Sequence, residues 1–488
     1  MSTDAGVKPT LIEHNGIDIV PEEERTARPR DLFWPWFAAN VSVFGMSYGS
    51  YLLGFGISLW QATIVAILGI VISFFLCGLV AIAGKRGSAP TMVLSRAAFG
   101  VQGQKLPGII SWITSIGWET ILAITAVLAT GTVFRQLGWF AGGDVAVNVV
   151  ATIVVAALIV GAAVLGYHTI MKLQSVLTWV TGLMTILFLV LTFGYIDWNV
   201  IGTQPSGNLG QMIGALVFTL TGFGLGWINI AADWTRYQKR TVSDAKIVGW
   251  NTFGGSIAPI FLVFFGLLLA ASNKTVTIGG QSMGLNEAIG NDPIGALSSI
   301  LPTWLLFPFL IVAILTQVSG AVLGIYSSGL TLLSLGIKIP RPAAAAIDGV
   351  ILTIGTILVV FFAQNFIGPF QTFLTTLGVP LAAWAGILIA DILRRRKPYD
   401  TEALFDSNGR YGAVDWISVG TFVVAIIIGW GFVLSDLFTW QGYFMGLVGG
   451  VKGEWAGANL GVLFALAIGF LVTFFARAGV IRRQEEGL

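Results

Sequence analysis

Ala62-Thr63-Ile64-Val65-Ala66-Ile67-Leu68-Gly69-Ile70-Val71-Ile72-Ser73-Phe74-Phe75-Leu76-Cys77-Gly78-Leu79-Val80-Ala81-Ile82-Ala83 is a run of 22 residues without one charged side chain. Wound as a helix it would be roughly 33 Å long, enough to cross a bilayer core of about 30 Å. The stretch from Val145 to Leu165 has the same character. Lipid offers the backbone no hydrogen-bond partner, so each such run must be a helix that satisfies its own amides. The rest of the composition agrees. Of 488 residues, 55% are hydrophobic and 10% charged, where a soluble domain needs about 25% charged residues to cover its surface. The fold class expected is therefore an all-α polytopic membrane protein.

The same signal followed along the chain predicts twelve spans, at 33–56, 58–84, 106–134, 145–166, 170–196, 211–234, 247–271, 303–335, 342–363, 367–393, 414–437 and 458–477. With the N-terminus inside, the outer segments keep only Arg135, Lys274 and Lys452, and 23 of the 26 basic residues lie inside. The positive-inside rule predicts that asymmetry for a correct count. Both termini are thus expected in the cytoplasm of a multi-pass cell-membrane protein. The polar first thirty residues, with Glu22, Glu23, Glu24, Arg25 and Arg28, do not read as a cleavable secretory signal. A net charge of +2 gives no reason to expect a nucleic-acid partner. His14 and His168 are the two histidines and Cys77 the one cysteine, so neither a metal cluster nor a disulfide framework is expected. No cofactor is implied. Clustered nucleophiles at membrane depth, which a membrane-embedded enzyme would need, are missing from the pattern.

Two spans read as interrupted. The first contains Ala38-Ala39-Asn40-Val41-Ser42-Val43-Phe44-Gly45-Met46-Ser47-Tyr48-Gly49, the sixth Thr219-Leu220-Thr221-Gly222-Phe223-Gly224-Leu225-Gly226-Trp227. Glycine and small polar residues at mid-span tolerate unwinding, and these spans open two consecutive five-helix blocks. Broken helices at matching positions of two halves point to a midplane site in inverted-repeat transporters. Asn40 and Ser42 are candidate substrate contacts on that ground. Close helix packing around the glycines is the alternative.

Glu119 lies in Ser115-Ile116-Gly117-Trp118-Glu119-Thr120-Ile121, near the centre of the third span. An ionisable group there costs about 2.5–3.5 kcal/mol on insertion scales, so it normally faces the bundle interior and has a task. No Lys or Arg stands mid-span, and burial without a cation favours the protonated carboxyl. Glu119 could bind the N–H edge of a heterocycle, carry a coupling proton, or both; a structural acid bonded between helices is the alternative. Trp118 could stack on an aromatic cargo or simply pack. The other tryptophans, mostly near span ends, read as interfacial anchors. Asp233 and Arg236, one turn apart, read as a helix-end pair or gate latch. Asp348 and Asp391, near basic loops, are expected to snorkel to water. Thr316 and Ser319 share a helical face and could ligate a hard cation, or bond to carbonyls within their own helix.

Several segments resemble the nucleobase–cation symporter family, especially its purine–cytosine permease branch (cytosine, purine, uracil, thiamine and allantoin permeases). They are Asn15-Gly16-Ile17-Asp18-Ile19-Val20-Pro21-Glu22-Glu23-Glu24-Arg25, Trp36-Phe37-Ala38-Ala39-Asn40, Ala232-Asp233-Trp234-Thr235-Arg236-Tyr237, Ile325-Tyr326-Ser327, Pro380-Leu381-Ala382-Ala383 and Gln441-Gly442-Tyr443-Phe444-Met445-Gly446. The loop Ala89-Pro90-Thr91-Met92-Val93-Leu94-Ser95-Arg96-Ala97-Ala98-Phe99-Gly100 is the most specific. The resemblance implies a leucine-transporter-like fold of two inverted five-helix repeats plus two C-terminal helices, working by alternating access. The parts would be a tail at 1–31, repeats at 32–196 and 211–393, two helices within 414–477 and a tail at 478–488. It implies substrate residues at Trp118, Glu119, Phe223, Gly224 and Ser319, and a sodium site at Ala38, Val41, Leu315 and Ser319. The adjacent hydroxyl pair of sodium-coupled members is Val318-Ser319 here, and the helix-eight asparagine that contacts substrate falls at Gly324. One hydroxyl ligand is lost while Glu119 is ionisable, which leans towards proton coupling, with sodium the alternative. The expected function is cation-coupled uptake of a nucleobase such as cytosine or a purine, by a monomer in the bilayer. A hydantoin, allantoin, vitamin or amino acid carried by the same fold is the second reading.

Overall fold

The computed structural model describes residues 16–139, 144–163, 167–278 and 280–486. Lys8, His14, Asn15, Leu165 and the last two residues lie outside them, as do the side chains of His168 and Arg341. The first predicted span is two short helices, α1 (Phe33–Asn40) and α2 (Phe44–Leu53). The run from Ala62 lies in α3 (Leu59–Gly87). Ser58 starts that helix: its hydroxyl accepts the Gln61 amide at 3.3 Å, while the Gln61 side chain accepts the Ser58 amide at 3.0 Å, a reciprocal N-terminal cap. Then follow α4 (Lys105–Gln136), α5 (Asp144–Ala163), α6 (Tyr167–Thr192), α7 (Leu209–Gly222) and α8 (Gly224–Trp227), with α8 continuing as a tighter 3-10 turn, Ile228–Trp234. The chain goes on through α9 (Asp244–Ser272), α10 (Leu285–Asn291), α11 (Pro293–Ser298), α12 (Thr303–Ser334), α13 (Arg341–Phe362), α14 (Ile367–Arg394), α15 (Trp416–Trp430), α16 (Leu460–Ala476) and α17 (Ala478–Glu485).

Among the described residues, nine helices are long and apolar enough to cross a membrane, or ten if α16 and α17, bent by 57°, form one span. The shortfall from twelve has local causes. The first span is broken, so neither half suffices alone, and α15 has only 15 residues. Among the described residues, the strands longer than a single bridge form one antiparallel hairpin, β1 (Thr275–Ile278) on β2 (Gln281–Gly284), in register Thr275 to Gly284.

Burial separates an inner from an outer layer. The span windows of α4 and of Leu209–Trp234 are 83% and 89% buried, whereas those of α5 and α13 are 22% and 28%. Val150 and Ile153 on α5, Leu183 and Ile186 on α6, and Val350 and Ile354 on α13 are exposed apolar side chains, as a lipid-facing layer requires. Inside, α4 packs on α12, α3 on α9, and α14 on α16.

The snorkelling expected of Asp348 and Asp391 does not occur. Both are fully buried. Asp391 is paired with Arg477 at 2.6 Å and Arg395 at 3.1 Å. Asp348 accepts the Trp112 indole N–H at 2.9 Å and the Ser328 hydroxyl at 2.6 Å. Snorkelling needs a long flexible stem, and aspartate has one methylene.

Candidate functional site

Each broken helix is held open by side chains from its neighbours. α1 ends where Val41 takes φ −82°, ψ 69°. The Ser42 hydroxyl donates to Gln317 Oε1 at 3.1 Å, and Gln317 Nε2 donates to Thr125 Oγ1 at 2.5 Å. This chain ties the first break to α12 and α4. Between α7 and α8, Phe223 takes φ −117°, ψ −120°. There the Gly224 amide donates to Ser73 Oγ at 2.9 Å and the Tyr48 hydroxyl donates to the Gly222 carbonyl at 3.1 Å. Groups freed by unwinding thus find partners in adjacent helices, the condition for irregular backbone at membrane depth.

A closed cavity lies between α4, α8 with its 3-10 continuation, and α12. Its walls are Ser115, Trp118, Glu119 and Leu122 from α4, Gly226, Trp227, Asn229 and Ile230 from the sixth span, and Gly320 and Gly324 from α12. Glu119 is fully buried, and neither carboxyl oxygen has a hydrogen-bond partner. Ser328, a donor in its neighbourhood, gives its hydroxyl to Asp348 instead. Two glycines make the room. A Cβ on Gly324 would stand 3.0 Å from Glu119 Cγ, and one on Gly226 would stand 2.8 Å from Trp118 Cζ2.

The indoles of Trp118 and Trp227 face one another, with centroids 6.4 Å apart and planes within 10°. A flat ring needs about 3.5 Å to each face, so with centroids 6.4 Å apart the pair is at least about 0.6 Å too close to admit one. The cavity volume agrees: about 10 Å³, room for about one water. Phe370 and Phe373 pack edge-on against Trp118 at 6.0 and 5.4 Å. At the polar end, Asn229 Nδ2 donates to Ser111 Oγ at 3.0 Å and Ser115 Oγ at 3.1 Å.

The residues singled out from sequence divide accordingly. Trp118 and Glu119 line the cavity. Phe223 instead packs against Tyr48, rings 4.5 Å apart, and Gly224 lies against the backbone of Ser73 and Phe74. Asn40 donates to Trp36 O of its own helix at 2.7 Å. Ser42 reaches the cavity wall only through Gln317 and Thr125, whose hydroxyl donates to Leu122 O at 2.9 Å. At the candidate sodium site, Ala38 on α1 and Val41 just beyond its end are buried, and α1 packs on α12. Ser319 donates its hydroxyl to Gln174 Oε1 at 2.5 Å while Gln174 Nε2 donates to Ser319 O at 2.9 Å. Leu315, on the same helix, is half-buried. Thr316 bonds to Val312 O at 2.7 Å. Asp233 accepts the Thr91 amide and hydroxyl at 2.7 and 2.8 Å, and Arg236 donates to Gly16 O and Tyr326 Oη at 2.8 Å each. This pair secures the basic end of the bundle, away from the cavity. Trp227, Asn229 and Gln174 escaped the sequence reading. A tryptophan four residues beyond a predicted break was the available signal.

Beyond the opposite end, in the segment joining α9 to α12, Asp292 caps α11. It accepts the Gly295 amide at 2.9 Å and the Thr132 hydroxyl of α4 at 2.6 Å. Burial pushes its carboxyl up to about 6, against the pull of Thr132, the backbone amides and Arg135.

The family described as permeases for cytosine/purines, uracil, thiamine and allantoin matches the chain over residues 19–474. A Bacillus subtilis protein, YxlA, which carries a provisional purine-cytosine permease name, is 26% identical over 88% of this chain and 89% of its own length. The hydantoin permease of Microbacterium maritypicum is 22% identical over 85% of this chain and 83% of its own. Among solved structures, Mhp1, a nucleobase-cation-symport-1 family transporter in a closed conformation with bromovinylhydantoin bound, superposes with TM-score 0.72 at 18% identity, covering 97% of this chain and 96% of that one. This chain belongs to the nucleobase–cation symporter family of cytosine/purine, uracil, thiamine and allantoin permeases, and is a multi-pass membrane transporter rather than an enzyme.

Proposed function

We propose that this protein takes up a flat, uncharged nucleobase, cytosine or a purine, together with a cation, by alternating access. The observation that carries the reading is the pair of near-parallel indoles, Trp118 and Trp227, with the unpartnered carboxyl of Glu119 in the same wall. Two π faces suit the faces of a heterocycle. A carboxyl without a donor suits the ring's N–H edge, and Asn229 supplies further polar capacity. The architecture that goes with it is twelve spans, two inverted five-helix repeats at 32–196 and 211–393 followed by two helices. Both termini are cytoplasmic in the cell membrane, and a monomer is the working unit.

The coupling ion in this reading is a proton carried by Glu119. A sodium site at Ala38, Val41, Leu315 and Ser319 is the alternative. The interlock of Ser319 with Gln174, and valine at 318, leave that site poor in free hydroxyl ligands, which supports the proton. A hydantoin-class cargo is the second reading, favoured by similarity to a hydantoin permease and by the planarity such a ring shares with a nucleobase.

Uptake of radiolabelled cytosine and hypoxanthine by cells expressing wild type, Glu119→Ala and Glu119→Gln tests the main reading. Loss of uptake in both variants is expected, and undiminished uptake in both removes Glu119 from the mechanism. Competition by unlabelled nucleobases, hydantoins, allantoin, thiamine and amino acids separates the cargo classes. Thermal shifts with each ligand, with and without sodium and across pH, separate the ions, because a ligand that binds only the folded protein stabilises it by mass action.

A further inference from the structure

Asp348 is a second buried acid that nothing above employs. It projects from α13, a helix whose other face is lipid-exposed, and its burial is complete. Its two oxygens accept from two neutral donors, Trp112 Nε1 of α4 and Ser328 Oγ of α12. On α12, Gly324 and Ser328 are one turn apart, so both present the same face to α4. Glu119 stands over Gly324, with Oε1 3.1 Å from where a Cβ added there would stand. The Ser328 hydroxyl bonds Asp348 and lies one helical turn from the Gly324 that Glu119 covers.

The other charges around the pair are few. α12 carries no charged residue, α4 has Lys105 and Arg135 only at its ends, and α13 has Arg341 only at its start. α14, which also packs on α4, has Asp391 and Arg394 near its far end; α5 has Asp144 at its start, and α11 has none. Asp233, at the end of the 3-10 turn, is held by Thr91. Among the described residues no cation is bonded to either carboxyl, and two carboxyls at membrane depth without one cannot both be ionised without large cost. Asp348 accepts an indole N–H and a hydroxyl, a pattern that suits an ionised acceptor, whereas neither oxygen of Glu119 has a partner.

We propose that Glu119, Ser328 and Asp348 form a proton relay, in which Asp348 is the exit station towards the basic end of the bundle. This rests on the proton-coupled reading of the cavity. When the cargo leaves and the carboxyl of Glu119 turns to Ser328, its O–H bond breaks as Ser328 Oγ takes the proton. Ser328 releases its own hydroxyl proton to Asp348 Oδ2 in the same step. The net change is one proton moved and one negative charge exchanged between the acids. Trp112, two turns from Glu119 on α4, positions Asp348 and reports its charge.

The test uses purified full-length protein in liposomes, with radiolabelled cytosine and hypoxanthine as probes, and in detergent. Infrared difference spectra taken across pH should show a buried protonated-carboxyl band that Glu119→Gln removes and Asp348→Asn shifts. In liposomes, Asp348→Asn and Ser328→Ala should each lose uptake driven by a pH gradient at least tenfold more than they lose exchange of the same probe. Ser328→Thr, which keeps the hydroxyl, should restore it. A band insensitive to Asp348→Asn, or equal losses of driven uptake and exchange, overturns the relay and leaves the cavity reading intact. Wild-type uptake driven by sodium and indifferent to a pH gradient overturns proton coupling itself, and the relay with it.

Discussion

Asp391 and Glu119 are both fully buried carboxyls in the same bundle, but their surroundings are opposite. Asp391 is gripped by two guanidiniums. Arg477 goes on to bond Asp415 at 3.0 Å and Ala97 O at 3.2 Å, and Arg395 reaches Gln484 at 2.8 Å. The charges cancel on the spot and the network stitches the C-terminal helix to α14 and to the short helical segment Arg96–Phe99. Glu119 has no partner at either oxygen. An acid whose partner is built in can respond to little. One whose partner is missing has its energy set by whatever enters the cavity, which is what coupling a cargo to an ion demands.

The largest effect comes from breaking the paired region. Arg477→Met leaves Asp391 with one cation and Asp415 with none, and removing one member of a buried pair costs about 3–5 kcal/mol. Denaturant or thermal unfolding in detergent should show that loss. A variant as stable as wild type would mean the cluster is no brace, and the contrast with Glu119 would lose its reference.

A smaller effect sharpens the other side. Trp227→Leu keeps an apolar wall but removes one π face. Stacking on an aromatic contributes about 1–3 kcal/mol per base, so affinity for the transported base should fall roughly 5- to 150-fold, with stability changed far less than in Arg477→Met. Equilibrium binding of radiolabelled cytosine measures it. Unaltered affinity would show that the indoles pack on each other and not on cargo.

Asp292 is the intermediate case, buried like the others but held by neutral donors with Arg135 nearby. Its carboxyl is raised from 3.8 to about 6, so between those values the folded protein binds a proton that the unfolded chain has released. Stability therefore falls as pH rises through that window, and the full cost of the ionised form is present above about 6. From pH 5 to pH 7.5 the loss amounts to about one pK unit, or about 1.4 kcal/mol. Asp292→Asn keeps the cap and should flatten that slope. Parallel stability curves for the two proteins would show that Asp292 does not titrate as its burial requires.

What was legible in the sequence follows from what each inference needed. Hydrocarbon enforces helix on any long apolar run, so the class of fold could be read from residues such as those between Ala62 and Ala83 alone. The interruptions near Val41 and Phe223 were legible because glycine and small polar residues mark them. Partners were not. Gln174 meets Ser319 across 145 positions, a consequence of helix packing that no local pattern carries. Trp227 was hidden by its type, since a tryptophan anchoring an interface and one walling a cavity look alike until depth is known. Asp348 and Asp391 misled because distance along the chain to basic loops stood in for reach, and a one-carbon side chain has little.

The smallest expected effect on stability is the most discriminating. Glu119→Gln preserves shape and swaps an unpartnered carboxyl for an unpartnered amide. Each leaves buried polar atoms unsatisfied at about 1–3 kcal/mol, so the difference should be under about 1 kcal/mol. Asp391→Asn strips the charge that two buried guanidiniums need, and should resemble Arg477→Met in size. The two carboxyl-to-amide changes are chemically the same, so one unfolding assay on both isolates environment from chemistry. If Glu119→Gln unfolds as readily as Asp391→Asn, Glu119 is a brace like the other, and no unpaired acid is left in the cavity to couple anything.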